Sequence, residues 1–182
     1  MNNNEKVLHK STKAIHGGGL NHTVFGEVSV PIFQSSTFAF PSADEGAARF
    51  SGEKKGFIYT RMGNPTINAL EKSVAALENG FAGMATASGM AAITTVFLSL
   101  LGRGSHMLST ASVYGPTRMV LEKHFSRFGL EVTFVDTSNP ENIVNGIREN
   151  TRIVFIETPA NPTISITDIQ AQQTSPTGMA LF

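Results

Sequence analysis

Cysteine and tryptophan are missing from this 182-residue chain, and tyrosine occurs only at Tyr59 and Tyr114. Without cysteine there is neither a disulfide frame nor a thiolate metal ligand. An excess of charge of one sign is missing too. The 14 Lys and Arg balance the 14 Asp and Glu, and charged residues make up 15% of the chain. That balance exerts no electrostatic pull on nucleic acid or an anionic membrane surface. The longest apolar run, around residues 91–101, is broken by Thr94, Thr95 and Ser99 and is too short to span a bilayer. The first residues, Met1 to Lys6, lack the apolar stretch of a signal peptide. The expectation is a cytoplasmic protein with no membrane or nucleic-acid partner. The five histidines show no metal-ligand spacing, and no Gly-x-Ser-x-Gly nucleophile elbow occurs.

What is present is an apolar content of 41% and 17 glycines scattered at element boundaries, enough for one sizeable core with many tight turns. Residues 1–57 have weak periodicity and read as an extended arm with a short helix over 43–50. The first firm helix starts at Asn64 and Pro65, a capping residue followed by a proline where a missing N–H costs nothing. Ile67, Leu70, Val74 and Leu77 follow at helical spacing, and Gly80 ends the run. Strand and helix then alternate: strands over 83–87, 106–109, 131–135 and 152–157, with helices over 89–101, 116–128 and 140–149. Such alternation with short connections predicts a mostly parallel sheet covered on both faces. The organisation expected is an arm over 1–65, an α/β domain over 66–168 and a divergent tail over 169–182. That tail contains no charged residue and no clear period, and reads as polar coil, disordered or frameshifted.

Four constellations bear on chemistry. Ser88-Gly89-Met90 lies where a strand turns into a helix. Glycine there lets a ligand approach the backbone, and free first-turn amides favour an anion. The plain alternative is a tight structural turn. Tyr59 and Arg61 stand two apart, so an extended segment would point both to one side. An arginine fork and a phenol suit phosphate, whereas the plain alternative is a solvated arginine beside a packed tyrosine. Tyr114 follows the strand over 106–109 at a loop mouth where α/β sheets place ligands, and its ring could stack on a flat heterocycle or simply fill core. Asn161 lies in a turn between Pro159 and Pro162, which fix its direction.

The strings Tyr59-Thr60-Arg61-Met62-Gly63-Asn64-Pro65-Thr66, Ala87-Ser88-Gly89-Met90-Ala91, Val113-Tyr114-Gly115 and Glu157-Thr158-Pro159-Ala160-Asn161-Pro162 resemble the Cys/Met-metabolism family of pyridoxal-phosphate enzymes. The resemblance covers roughly residues 15–169. It implies an α/β fold, the large domain of a fold-type-I, aspartate-aminotransferase-like enzyme with its extended N-terminal arm. It also implies pyridoxal 5'-phosphate as cofactor and a trans-sulfuration reaction, elimination or replacement at the γ or β carbon of methionine, cystathionine or an O-acylhomoserine. By the same resemblance Gly89 and Met90, beside Ser88, hold the cofactor phosphate. Tyr114 stacks on the ring, and Asn161 hydrogen-bonds the ring hydroxyl. Tyr59 and Arg61 reach the phosphate of a neighbouring subunit, which implies a homo-oligomer, dimer or tetramer. Tyr59 and Tyr114 are then the catalytic candidates present.

The family's Schiff-base lysine falls downstream of Asn161, where this sequence has none; the seven lysines are Lys6, Lys10, Lys13, Lys54, Lys55, Lys72 and Lys123. Ser11-Thr12-Lys13 imitates part of the lysine motif but lies in the arm. The expectation is an N-terminal fragment, inactive alone. A non-catalytic phosphate- or cofactor-binding module and a subunit-interaction fragment stay open as alternatives. Methionine γ-lyases typically carry cysteine two residues after the stacking tyrosine, where this chain has Pro116, so the choice among lyases, synthases and sulfhydrylases also stays open.

Overall fold

In the computed structural model, residues 8–18 and 26–170 are described. They divide into two compact units, residues 1–85 and 86–182. Lys6, Gly19, His22 and residues 171–182 of the tail therefore lie outside the described residues. Ile169 and Gln170, which the sequence places in coil, have helical backbone. Among the described residues no helix is long and apolar enough to cross a membrane.

The first unit contains helices α1 (Lys10–His16), α2 (Ala43–Phe50) and α3 (Pro65–Glu78). The arm is thus less extended than its weak periodicity suggests. The amphipathic signal of α1 is poor because none of its residues is buried. What holds it is contact with α3: Lys13 Nζ donates to Asn79 Oδ1 at 2.6 Å. A Cβ on Gly18 would also meet the Ala69 carbonyl oxygen at 2.8 Å, so only glycine lets the chain pass α3 this closely. Helix α2 begins as expected, with Ser42 Oγ accepting from the Glu45 N–H. Helix α3 starts at the anticipated Asn64 cap, and Asn64 does more than cap. Its Oδ1 accepts from the Thr66 N–H, while its buried amide donates to the Phe33 carbonyl and to Thr60 Oγ1. The expected strand over 83–87 does not form. Gly83 instead lies against the α3 backbone, where a Cβ would meet the Glu71 carbonyl oxygen at 2.6 Å, and the Ala85 N–H donates to Glu71 Oε1. Small side chains give that segment little to pack in a pleated sheet, and a helix carboxylate takes the amide that a strand would have paired.

The second unit is built on a parallel sheet in the order β2-β1-β3, from β1 (His106–Thr110), β2 (Glu131–Val135) and β3 (Thr151–Phe155). Alternation along the central strand sends Met107 and Leu108 to opposite faces. Met107 packs with Phe97, Leu121, Phe125, Leu130 and Ile153. Leu108 packs with Ile143 and Val154. The first cluster is covered by α4 (Gly89–Leu100) and by the helical run from α5 (Gly115–Met119) through a π turn (Val120–His124) and a 3-10 turn (Phe125–Phe128). The second is covered by α6 (Pro140–Gly146). Helices on both faces of a parallel sheet are what the alternating pattern predicts. Two details differ. The expected single helix over 116–128 keeps its course but changes hydrogen-bonding period twice. The helix expected over 140–149 stops at Gly146, because Ile147 turns to extended backbone and joins the second cluster. Gly146 itself sits so close to β1 that a Cβ would meet Leu108 Cδ1 at 2.6 Å.

At the N-terminal edge of the sheet, His106 joins all three strands. Its Nδ1 pairs with Thr151 Oγ1 at 2.7 Å and its Nε2 with Thr133 Oγ1 at 2.9 Å. Burial, and secondarily the Arg148 charge, push its pKa below the ordinary 6.5, with Glu131 opposing. As pH falls through 6.5 the unfolded chain takes up a proton that the folded chain resists. Stability therefore declines from that point toward the lower folded value. Urea midpoints measured between about pH 7.5 and 5 are expected to fall, and His106→Asn is expected to flatten that slope. An unchanged slope in the variant would remove His106 as the cause.

Candidate functional site

In a parallel βα unit the helix returns antiparallel to its strands, so helix N-termini and strand C-termini share one edge of the sheet. That edge is where open α/β sheets bind ligands. Helix α4 brings Gly89 and Met90 there. Ser88 is its cap, with Oγ accepting from the Ala91 N–H at 3.1 Å and its carbonyl from the Ala92 N–H at 3.0 Å. The amides of Gly89 and Met90 are the next first-turn donors, and a helix offers them no internal partner. A Cβ built on Gly89 meets nothing within 4 Å, so the start of the helix is open on the side of that residue. The positive end of a 12-residue helix adds to their attraction.

Tyr114 precedes α5 at the end of the segment leaving β1, and its ring is half exposed. Its N–H donates to Glu157 Oε2 at 2.9 Å, which ties it to the segment leaving β3. Thr117, fully buried on α5, donates to the Met90 sulfur at 3.5 Å, which ties the same helix to the start of α4. Tyr114 and the Ser88-Gly89-Met90 turn are therefore brought to one edge through Thr117. Asn161 reaches that edge on the exposed loop after β3. The loop is closed by the Ala160 N–H donating to the Ser165 carbonyl and the Ile164 N–H donating to the Ala160 carbonyl. Ile164 takes a positive φ of 55°, a left-handed conformation that costs a β-branched residue roughly 1–3 kcal/mol and survives only where its surroundings impose it. Asp136, at the end of β2, is held below the usual carboxylate range by hydrogen bonds from the Ser138 hydroxyl and N–H.

Tyr59 and Arg61 belong to the first unit, whereas Ser88, Gly89, Met90, Tyr114 and Asn161 belong to the second. The segment is not extended through Arg61 as the spacing suggests. Tyr59 pairs antiparallel with Thr37, and its carbonyl then accepts from the Met62 and Gly63 amides, so the chain turns. The two side chains do share a side, because the turn lays the Arg61 guanidinium over the Tyr59 ring, 4.5 Å from its centroid. Arg61 and Thr60 line a cleft of about 890 Å³ in this unit, together with Arg49, Phe57 and Asn64.

The donor set at the second unit's edge fits a phosphorylated, flat, aromatic cofactor: backbone amides for the phosphate, an exposed phenol ring for stacking, and a side-chain amide on a braced loop. The sequence pattern of the Cys/Met metabolism PLP-dependent enzymes matches residues 11–175. The chain belongs to this family. L-methionine gamma-lyase of Fusobacterium nucleatum subsp. nucleatum is 48% identical over 160 residues, 88% of this chain and 40% of that protein. Cystathionine gamma-lyase of Bacillus subtilis is 46% identical over 162 residues, 89% and 40% of the two chains. Among solved structures, metB from Corynebacterium glutamicum superposes with a TM-score of 0.86 at 39% identity over 96% of this chain and 44% of that one. A putative O-acetylhomoserine (thiol)-lyase from Campylobacter jejuni, which carries N'-pyridoxyl-lysine-5'-monophosphate, superposes with a TM-score of 0.83 at 34% identity, over 90% and 40% of the two chains. The fold is thus that of fold-type-I pyridoxal-phosphate enzymes, and the family's cofactor is pyridoxal 5'-phosphate. This chain spans about 40% of the length of the curated relatives it matches.

Sequence reasoning gives no role to Thr117 or to the Glu157 carboxylate, the two contacts that assemble the edge. Glu157 stands in a quoted motif, but nothing local says that its partner is an amide 43 residues away. Thr117 has only its place one turn into a helix next to the site as a signal.

Proposed function

We propose that these residues form the phosphate- and ring-binding part of a pyridoxal-phosphate enzyme of sulfur amino-acid metabolism, acting by elimination or replacement at the γ or β carbon of a small sulfur-containing or O-acylated amino acid. The observation that carries this reading is the first turn of α4 at Gly89 and Met90, tied through Thr117 to the helix that the exposed Tyr114 precedes. The Gly89 and Met90 amides hold the phosphate, and the Ser88 hydroxyl, whose oxygen already caps the helix, has its own proton left to donate. The Tyr114 ring lies against the pyridine face and excludes water from it. The Asn161 amide donates to the ring hydroxyl oxygen and fixes the ring's rotation. Tyr59 and Arg61 complete the phosphate site of a neighbouring subunit, where the Tyr59 phenol also handles the proton of the substrate amine. The bound cofactor supplies an electron sink for negative charge that develops on substrate carbon.

No lysine among these residues stands after Asn161, so the stretch supplies binding and orientation rather than the covalent link. An arm over 1–65 that pairs with a second subunit fits the row Ile67, Leu70 and Val74, which the first helix after the arm leaves exposed. Titration of the purified chain with pyridoxal phosphate, followed by absorbance, is expected to show saturable binding that inorganic phosphate displaces. Borohydride reduction and peptide mapping are expected to leave no single lysine labelled. Stoichiometric label on one lysine would contradict the division of roles, and the absence of saturable binding would contradict the reading itself.

A further inference from the structure

The loop that carries Asn161 starts at the half-buried Thr158 and ends at the buried Thr167. At its far end, the Thr167 N–H donates to Thr158 Oγ1 at 3.0 Å, which ties the end of the loop back to its beginning. The Thr167 hydroxyl pairs with Thr137 Oγ1 at 2.6 Å, and the Thr137 hydroxyl donates to Thr110 Oγ1 at 3.1 Å. Thr110 is the last residue of β1, Thr137 follows β2, and Thr167 follows β3. All three are at most 5% exposed. With Thr137 donating to Thr110, its oxygen is left to accept from Thr167. A chain of hydroxyls then runs from the centre of the sheet to the far side of the loop, in a place where an unpaired hydroxyl is costly. Between its two ends the loop holds Ile164 at φ 55°, a conformation that relaxes unless something imposes it.

We propose that Thr137 and Thr167 are positioning residues for the cofactor ring: their hydroxyl pair clamps the loop so that Asn161 meets the ring held by Tyr114. The proposal rests on the cofactor reading above, and one arm of its test does not depend on that reading. The clamp acts on the ring end of the site, because the phosphate end stands on α4, which shares none of these hydroxyls.

The test compares the unsubstituted chain with Thr167→Val and Thr137→Val, which keep shape and remove the hydroxyl, and with Thr167→Ser, which keeps it. Hydrogen exchange is expected to speed up about tenfold at the Ala160 and Ile164 amides in the valine variants. Exchange at Leu108 in β1 is expected to be unchanged, and Thr167→Ser is expected to restore protection. In the same variants pyridoxal phosphate is expected to bind about tenfold more weakly, with a shifted absorbance band, while the dissociation constant of inorganic phosphate obtained from its competition is unchanged. Equal weakening toward both probes, unchanged loop exchange, or loss of cooperative melting in both valine variants would overturn the proposal. Failure of the unsubstituted chain to bind pyridoxal phosphate would overturn the cofactor reading and the ring role with it. In that event loop exchange alone would decide whether the hydroxyl pair is a clamp.

Discussion

Gly89→Asp is expected to weaken binding of pyridoxal phosphate and of inorganic phosphate by about 100-fold or more while leaving the fold at least as stable as before. The two halves of this expectation have opposite electrostatic signs, which is what makes it decisive. A Cβ at position 89 enters open space, so sterics do not oppose the change. A carboxylate in the first turn of α4 interacts favourably with the helix end, by about 0.3–1 kcal/mol. In the proposed site the same carboxylate stands beside the phosphate. Two like charges about 4 Å apart repel by roughly 4 kcal/mol at an effective dielectric near 20, which is a loss of 100-fold or more in affinity. Absorbance titration and a thermal melt on one preparation check both halves. Retained affinity would remove the phosphate from this helix end. A lowered melting temperature would mean that glycine is needed for the turn instead.

Phe97→Ala is expected to destabilise the second unit by about 3–5 kcal/mol. Phe97 is 1% exposed and stands edge-on to Phe125 and Phe155, at 6.0 and 5.3 Å between ring centroids. It joins α4 to the helical run after β1 and to β3, so its loss opens a cavity shared by three elements. Phenylalanine-to-alanine changes in such sites cost about 3–5 kcal/mol, against a total of roughly 5–15 kcal/mol for an ordinary domain. The chain has no tryptophan, so urea unfolding is best followed by far-UV circular dichroism. The expected result is a large drop in midpoint or loss of the cooperative transition, with Phe97→Leu in between. An unfolding free energy within about 1 kcal/mol of the unsubstituted chain would show that this cluster does not hold the unit together.

The sheet was legible because its strands carry their own evidence. The stretch from Arg152 to Phe155 is β-branched or aromatic after its first residue, and the segments from His106 and Glu131 have short apolar runs bounded by turn residues. The Asn64 and Pro65 start of α3 was legible for the same local reason. The segment over 83–87 misled, since alanine and glycine between helices suit a strand only if a neighbour is available to pair. What takes that segment is the α3 backbone, and no sequence window contains that contact. Helix α1 escaped notice because its partner is α3, about fifty residues away, and not a buried face of its own. At the candidate site, Gly89, Tyr114 and Asn161 stood out through their motifs. The residues that assemble them did not: Thr117 on Met90, Glu157 on the Tyr114 amide, and the threonine chain behind Asn161 are contacts between distant segments, made by residue types that occur everywhere.

In the proposed site the N-terminal amides of α4 grip a phosphate. Backbone amide resonances of the isotope-labelled chain, followed while pyridoxal phosphate and then inorganic phosphate are added, test this most directly. Gly89 and Met90 are expected to show the largest displacements with both ligands, and Tyr114 and Asn161 to respond to pyridoxal phosphate alone. Saturation by either ligand with the Gly89 and Met90 resonances unmoved would contradict it.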